Sequence, residues 1–96
     1  MNREEALKKV YSRSHDVPWQ MIDDGIVLLE LTSGHYYTLN DVGARIWELL
    51  DGEKNIDLIT TTLNDEFDAP PETMLLDILE LMDQLEKEGL VVTGNE

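Results

Sequence analysis

The first candidates for acid–base chemistry in this 96-residue chain are its two histidines, His15 near the amino end and His35 beside Ser33-Gly34. A general base needs an oriented partner and a pocket, and the sequence around each histidine supplies neither. His35 therefore reads as a turn residue. The run Asn64-Asp65-Glu66-Phe67-Asp68 has the composition of a calcium loop, but it lacks the glycine and the closing glutamate at the required spacings. It reads as a helix end. With no cysteine in the chain, disulfides, thiolate metal sites and cysteine nucleophiles are excluded. There is no glycine-rich phosphate loop, no histidine pair at metal-ligand spacing and no Asp-Ser-Leu site for a pantetheine arm. The expectation is a protein that is not an enzyme, with no cofactor and no metal.

The chemistry left is that of main-chain pairing and apolar surface. His35-Tyr36-Tyr37-Thr38-Leu39 is rich in aromatic and β-branched residues and reads as a strand. It holds neither Lys nor Pro, the usual guards against unwanted pairing. As the last of three strands it lies at a sheet edge, open to another strand. A second surplus lies downstream, where Met74, Leu75, Ile78, Leu79, Leu81, Met82 and Leu85 spread more widely than the stripe one buried helix face requires. Packing between a neighbouring helix and the sheet would account for it, and so would a partner groove lined by adaptable methionines.

The elements that carry these residues follow from local signals. Residues 1–16 are polar and of mixed charge, a tail with a frayed helix from Arg3 to Tyr11. Three antiparallel strands follow between Val17 and Leu39, with hairpin turns at Asp24-Gly25 and Ser33-Gly34. In the middle strand Val27, Leu29 and Leu31 are expected to face the core and Ile26, Leu28 and Glu30 the solvent, while Tyr37 and Leu39 continue the inner face on the third. Asn40 is placed to cap a helix that begins at Asp41 and carries Val42, Ile46, Leu49 and Leu50 at helical spacing, with Trp47 in the core and Gly52 as its stop. A second helix from Asn55 or Ile56 buries Ile56, Ile59, Leu63 and Phe67, and Ala69-Pro70-Pro71 ends it. The third runs from Pro71 to about Glu88, with Gly89 as its cap, and Leu90-Val91-Val92-Thr93 can form a terminal strand. The fold class is α+β, a winged-helix-like domain in which a three-stranded antiparallel sheet is followed by three α-helices.

A net charge of −14 narrows the partners. Four of the seven basic residues, Arg3, Lys8, Lys9 and Arg13, precede the first expected strand, and only Arg45, Lys54 and Lys87 follow Val17. Such a surface repels a phosphate backbone, so no nucleic acid is expected. The amino end has no apolar signal core, and no apolar run approaches the roughly 18 residues of a membrane span. A soluble cytoplasmic protein, monomeric or homodimeric, is expected.

With these residues in hand, the chain from about Val17 to Val92 resembles the PqqD family, the small domains also called RiPP recognition elements. The likeness rests on Leu39-Asn40 at the strand-to-helix junction, Ala44-Arg45-Ile46-Trp47 followed by Leu50-Asp51-Gly52, Glu66-Phe67, Asp77-Ile78, Leu85 and Gly89-Leu90. Ser33-Gly34-His35-Tyr36-Tyr37 with Val42-Gly43-Ala44-Arg45 looks closer to stand-alone members of lasso-peptide and related pathways than to the pyrroloquinoline quinone protein itself. The resemblance implies residues 17–93 as a peptide-binding domain, a chaperone without catalysis. It would bind the leader of a ribosomally made precursor and present it to a modifying enzyme, a radical SAM protein or a leader protease.

The leader would add as a strand beside His35, Tyr36, Tyr37, Thr38 and Leu39 and lie against Met74, Leu75, Asp77, Ile78, Leu81, Met82 and Leu85. Pockets between Tyr36, Leu75, Ile78 and Met82 would take alternate leader side chains, and acidic rims at Asp77, Asp83 and Glu86 would favour Lys or Arg. Ile78→Arg is then expected to weaken binding without harm to the fold. A winged-helix regulatory or protein-interaction subunit, including a strand-swapped dimer, is the competing class.

Overall fold

The structure, a computed structural model, describes residues 3–31 and 33–93. Its elements in chain order are α1 (Arg3–Lys8), β1 (Val10–Arg13), β2 (Trp19–Ile22), β3 (Gly25–Glu30), β4 (His35–Leu39), α2 (Asp41–Leu49), β5 (Asp51–Asn55), α3 (Ile56–Glu66), α4 (Pro71–Lys87) and β6 (Val91–Thr93). Two antiparallel sheets of three strands form, in the orders β5-β1-β6 and β2-β3-β4. The mixed α and β content is as expected, but the single sheet ahead of three helices is not. Strand β5 separates α2 from α3, so helices and strands interleave.

The expected tail is the reason for the second sheet. Val10 and Tyr11 suit a strand, and β1 becomes the centre of the sheet by pairing Tyr11 with Thr93 and Val10 with Asn55. Tyr11 is buried. Arg13 closes the C-terminus of α2 by donating from Nη1 to the carbonyls of Trp47 at 2.8 Å and Glu48 at 3.0 Å, a favourable place for a cation at the negative end of the helix dipole. Charge mixing hid these roles, because each depends on partners 34 to 82 residues away in the chain.

The helix signals act as read. Asn40 Oδ1 accepts the Gly43 amide at 2.9 Å and Asn55 Oδ1 accepts the Leu58 amide at 2.8 Å, so each satisfies one orphan donor of a first turn. Pro71 opens α4, and Gly89 follows its cap with φ +74°. Ile56, Ile59 and Leu63 are fully buried and Phe67 partly so. Gly52 differs. The helix stops at Leu50, and Gly52, with φ +82°, lies inside β5 where the pairing with β1 shifts register. Arg45 forks onto both carboxylate oxygens of Glu66 at 2.8 and 2.9 Å, tying α2 to α3 and holding the Glu66 carboxyl below its ordinary range.

Two sheet expectations reverse. The β2–β3 turn is Asp23-Asp24, with Asp23 at φ 55°, and Gly25 is already paired with Ile22. A Cβ on Gly25 would lie 2.3 Å from the Leu39 carbonyl oxygen, so close strand packing rather than the turn demands glycine there. Gly25→Ala must push β4 away from β3. The expected result is a loss of about 2 kcal/mol, a fall in Tm of roughly 8 to 16 °C for a chain this size, measurable by thermal denaturation.

The faces of β3 are also inverted. Ile26 and Leu28 are buried opposite Leu39 and Tyr37, whereas Val27 and Leu29 are half-exposed and Leu31, 59 % exposed, lies past the strand end. Counting apolar residues on one strand favoured the wrong set. The register with β4 decides, because directly opposed residues share a face.

Candidate functional site

Among the described residues, strand β4 has β3 on one side and no strand on the other, so it presents a free edge. The direction of its main-chain groups follows from one bond. The Leu29 amide donates to the Pro18 carbonyl at 3.0 Å, so Leu29 and Val27 aim their backbone groups at β2. By the alternation of an antiparallel ladder, Ile26, Leu28 and Glu30 then face β4 and pair with Leu39, Tyr37 and His35. Tyr36 and Thr38 are left with their N–H and C=O groups pointing outward.

Beside this edge opens a cleft of about 760 Å³ between β4 and α4. Tyr37, Thr38 and Leu39 form one wall, and Met74, Asp77, Glu80, Leu81 and Gln84 form the other. Val42, Gly43 and Ile46 from α2 lie between them, and Phe67, Asp68 and Ala69 of the α3–α4 link complete the lining. The Tyr37 hydroxyl donates to Gln84 Oε1 at 2.7 Å and ties the two walls together. Burial, with Glu88 adding to it, pushes the Tyr37 phenol above its ordinary range, so it stays protonated as a donor.

The expected site residues separate into three groups. Tyr37, Thr38, Leu39, Met74, Asp77 and Leu81 line the cleft together. Leu75, Ile78, Met82 and Leu85 are core residues, with Ile78 and Leu85 at 0 % exposure; the wide apolar spread of α4 serves mainly to pack the helix against the rest of the domain. His35 stands at the exposed start of β4, and Tyr36, 71 % exposed, projects to the opposite face of the sheet beside Val27 and Leu29. No pocket therefore forms between Tyr36, Leu75, Ile78 and Met82. Ile78→Arg would put a charge in the core, so damage to the fold is expected instead of a folded variant with weakened binding.

The acidic rim is also redistributed. Asp77 keeps its place, but Asp83 pairs with Lys87 at 3.2 Å and the Glu86 carboxylate accepts the Thr93 hydroxyl at 3.3 Å, both away from the cleft. Asp68 and Glu80 stand at the cleft instead, and no Lys or Arg lines it. The Val42-Gly43-Ile46 floor and the Phe67-Asp68-Ala69 end were not legible as binding surface. Their only signal was adjacency to the Asn40 cap and to the Pro70-Pro71 break, which marks an element end without saying what it faces.

Among the described residues no group of His, Asp and Glu is placed to hold a metal ion, and no helix is long and apolar enough to cross a membrane. The arrangement can pair with a strand and receive side chains in a mixed apolar and acidic groove. Residues 25–91 match the family model of PqqD, coenzyme PQQ synthesis protein D. The fold is similar to that of TbiB1, solved in complex with the TbiA(beta) leader peptide, with a TM-score of 0.75 and 32 % identity over 83 % of this chain and 93 % of that one. No curated protein matches the sequence.

Proposed function

This chain belongs to the PqqD family, and we propose on that premise that it is a non-catalytic chaperone that binds the leader of a ribosomally made precursor peptide. One observation carries this reading: the unpaired edge of β4 borders a cleft against α4, on a fold shared with a protein solved with a leader peptide. The leader enters by β-augmentation. Its main chain pairs with the outward N–H and C=O groups of Tyr36 and Thr38, and every second side chain turns into the cleft toward Met74, Leu81 and Ile46. Main-chain pairing sets register and the cleft sets specificity. Ordering a flexible leader offsets part of the contact energy, so the dissociation constant is of order micromolar, near −8 kcal/mol.

The bound precursor is then presented to a separate modifying enzyme, a radical SAM protein or a leader protease, in the cytoplasm. The Ser33-Gly34-His35-Tyr36-Tyr37 wording favours a lasso-peptide type of pathway over pyrroloquinoline quinone formation. A winged-helix-like relationship for residues 17–93 is part of this proposal, supported by β2–β4 preceding α2, α3 and α4 in chain order.

The test is a titration of the isotope-labelled full chain with the leader peptide encoded beside it, followed by amide NMR shifts. Saturable shifts confined to 36–46, 67–69 and 74–84 support the reading. Unchanged spectra at millimolar peptide refute it for that leader. With Asp68, Asp77 and Glu80 at the cleft, the preferred leader carries Lys or Arg. Asp77→Lys is expected to weaken a cationic leader by about tenfold, and the difference between variant and wild type is expected to shrink as salt rises; isothermal titration at two salt concentrations measures both.

A further inference from the structure

The three-stranded sheet has a second surface, turned away from the helices. Its register puts Ile22, Val27, Leu29 and Tyr36 on that side, next to Pro18 and Gln20, around a shallow hollow of about 280 Å³. Ile22 is 50 % and Tyr36 71 % exposed, and Val27 and Leu29 are each only half-covered. By strand spacing and rise the face measures roughly 14 by 20 Å. That is below a standard interface and fits a transient contact.

Charge decides which kind of molecule can cover it. Residues 17–39 contain no Lys or Arg, while Asp23, Asp24 and Glu30 stand at the ends of the strands. The three cations beyond them are engaged by neighbouring acids, Arg45 with Glu48 and Glu66, Lys54 with Asp51 and Lys87 with Asp83. A second copy would bring −14 against −14, which opposes pairing of like faces. The face calls for a partner whose contact surface is apolar at its centre and basic at its rim.

Position adds to charge. Tyr36 and Thr38 carry the outward main-chain groups of β4, and the Tyr36 side chain belongs to the apolar face. A strand added to β4 extends this face, so a partner seated there touches domain and leader together. We propose that the outer face of β2-β3-β4 is the docking surface for the modifying enzyme, which contacts it through an apolar patch rimmed by Lys and Arg. This rests on the leader-binding function proposed above.

The test uses the full chain, its Ile22→Arg and Leu81→Arg variants, and the purified enzyme that acts on the precursor. Ile22 lies on β2, two strands from the leader edge, and half-exposed, so the fold tolerates arginine there; thermal denaturation checks this. Enzyme affinity is measured by fluorescence anisotropy without leader, and leader affinity separately. The proposal expects Ile22→Arg to weaken the enzyme at least tenfold with leader affinity unchanged, and Leu81→Arg, on the opposite side of the sheet at the cleft, to do the reverse. Undiminished enzyme binding by folded Ile22→Arg overturns it. So does sedimentation showing a wild-type dimer that Ile22→Arg disperses, since the face then belongs to a second copy. Should the wild type bind no leader, the leader-binding function fails on its own, while a tenfold Ile22→Arg effect on the enzyme still supports the docking face.

Discussion

Ile78→Arg is expected to unfold this domain, whereas Leu81→Arg, three residues further along α4, is expected to leave it folded and, on the proposed function, to close the cleft to leader. Ile78 is 0 % exposed and belongs to the central cluster with Trp47, Leu63 and Met82. An arginine there leaves an unpaired charge in an apolar site in addition to the lost packing, a cost of several kcal/mol. A small domain has roughly 5 to 15 kcal/mol in total, so most of it is spent at once. The expected readout is collapsed NMR dispersion and the loss of a cooperative thermal transition.

Leu81 is only partly covered and borders the cleft beside Asp77, Glu80 and Gln84. Its arginine substitute keeps its stem on apolar surface and its head in solvent, within reach of the acidic rim. Stability is expected to fall by about 1 kcal/mol or less. On the proposed function, leader affinity is expected to drop at least tenfold, because the guanidinium fills the groove and would repel a cationic leader. Equal stability of the two variants would show that the burial pattern along α4 is wrong. Unimpaired leader binding by folded Leu81→Arg would remove this cleft from the site.

Thr38→Pro has the second large effect, and it separates main-chain pairing from side-chain contact. The outward N–H of Thr38 has no strand partner in the isolated domain, so proline removes nothing that β4 uses to pair with β3. Edge strands accept proline on such terms, and the residue before it, Tyr37, is already extended. For a leader strand the same change removes a hydrogen bond of about 0.5–1.5 kcal/mol net and puts a ring where the next backbone must approach. A tenfold or greater loss of affinity follows, about 1.4 kcal/mol or more, with Tm shifted by only a few degrees. Thr38→Val is the control, since it keeps the amide and the strand. If Thr38→Pro binds leader as well as Thr38→Val does, the peptide does not pair with this edge. Tyr37→Pro removes an amide that points to β3 and is expected to damage the fold instead.

Local sequence determined the elements with local causes. Asn40 and Asn55 specify helix starts because a side-chain oxygen two or three residues from an orphan amide needs nothing else, and both caps form. Pro71 and Gly89 bracket α4 for equally local reasons, and the absence of Lys and Pro from 35–39 was visible as an unguarded edge, which β4 has. The motif pieces also carried the family, which the match over residues 25–91 establishes. All of these depend on chemistry within a few residues of chain.

Only the tertiary structure decided which faces point where. A residue's side of a strand is relative until register is set, so the three apolar residues Val27, Leu29 and Leu31 lost the core to Ile26 and Leu28, whose partners across the ladder are Leu39 and Tyr37. The same alternation sent Tyr36 outward and kept Tyr37 at the cleft. Likewise the surplus apolar surface of α4 could be assigned to core or cleft only when its neighbours were in place, and Ile78 went to one and Leu81 to the other. The polar start of the chain became a strand because β5 and β6, some 40 and 80 residues away, supply its hydrogen-bond partners. Pairing across such distances is a property of the folded chain, since neither strand has its partner until both are in place.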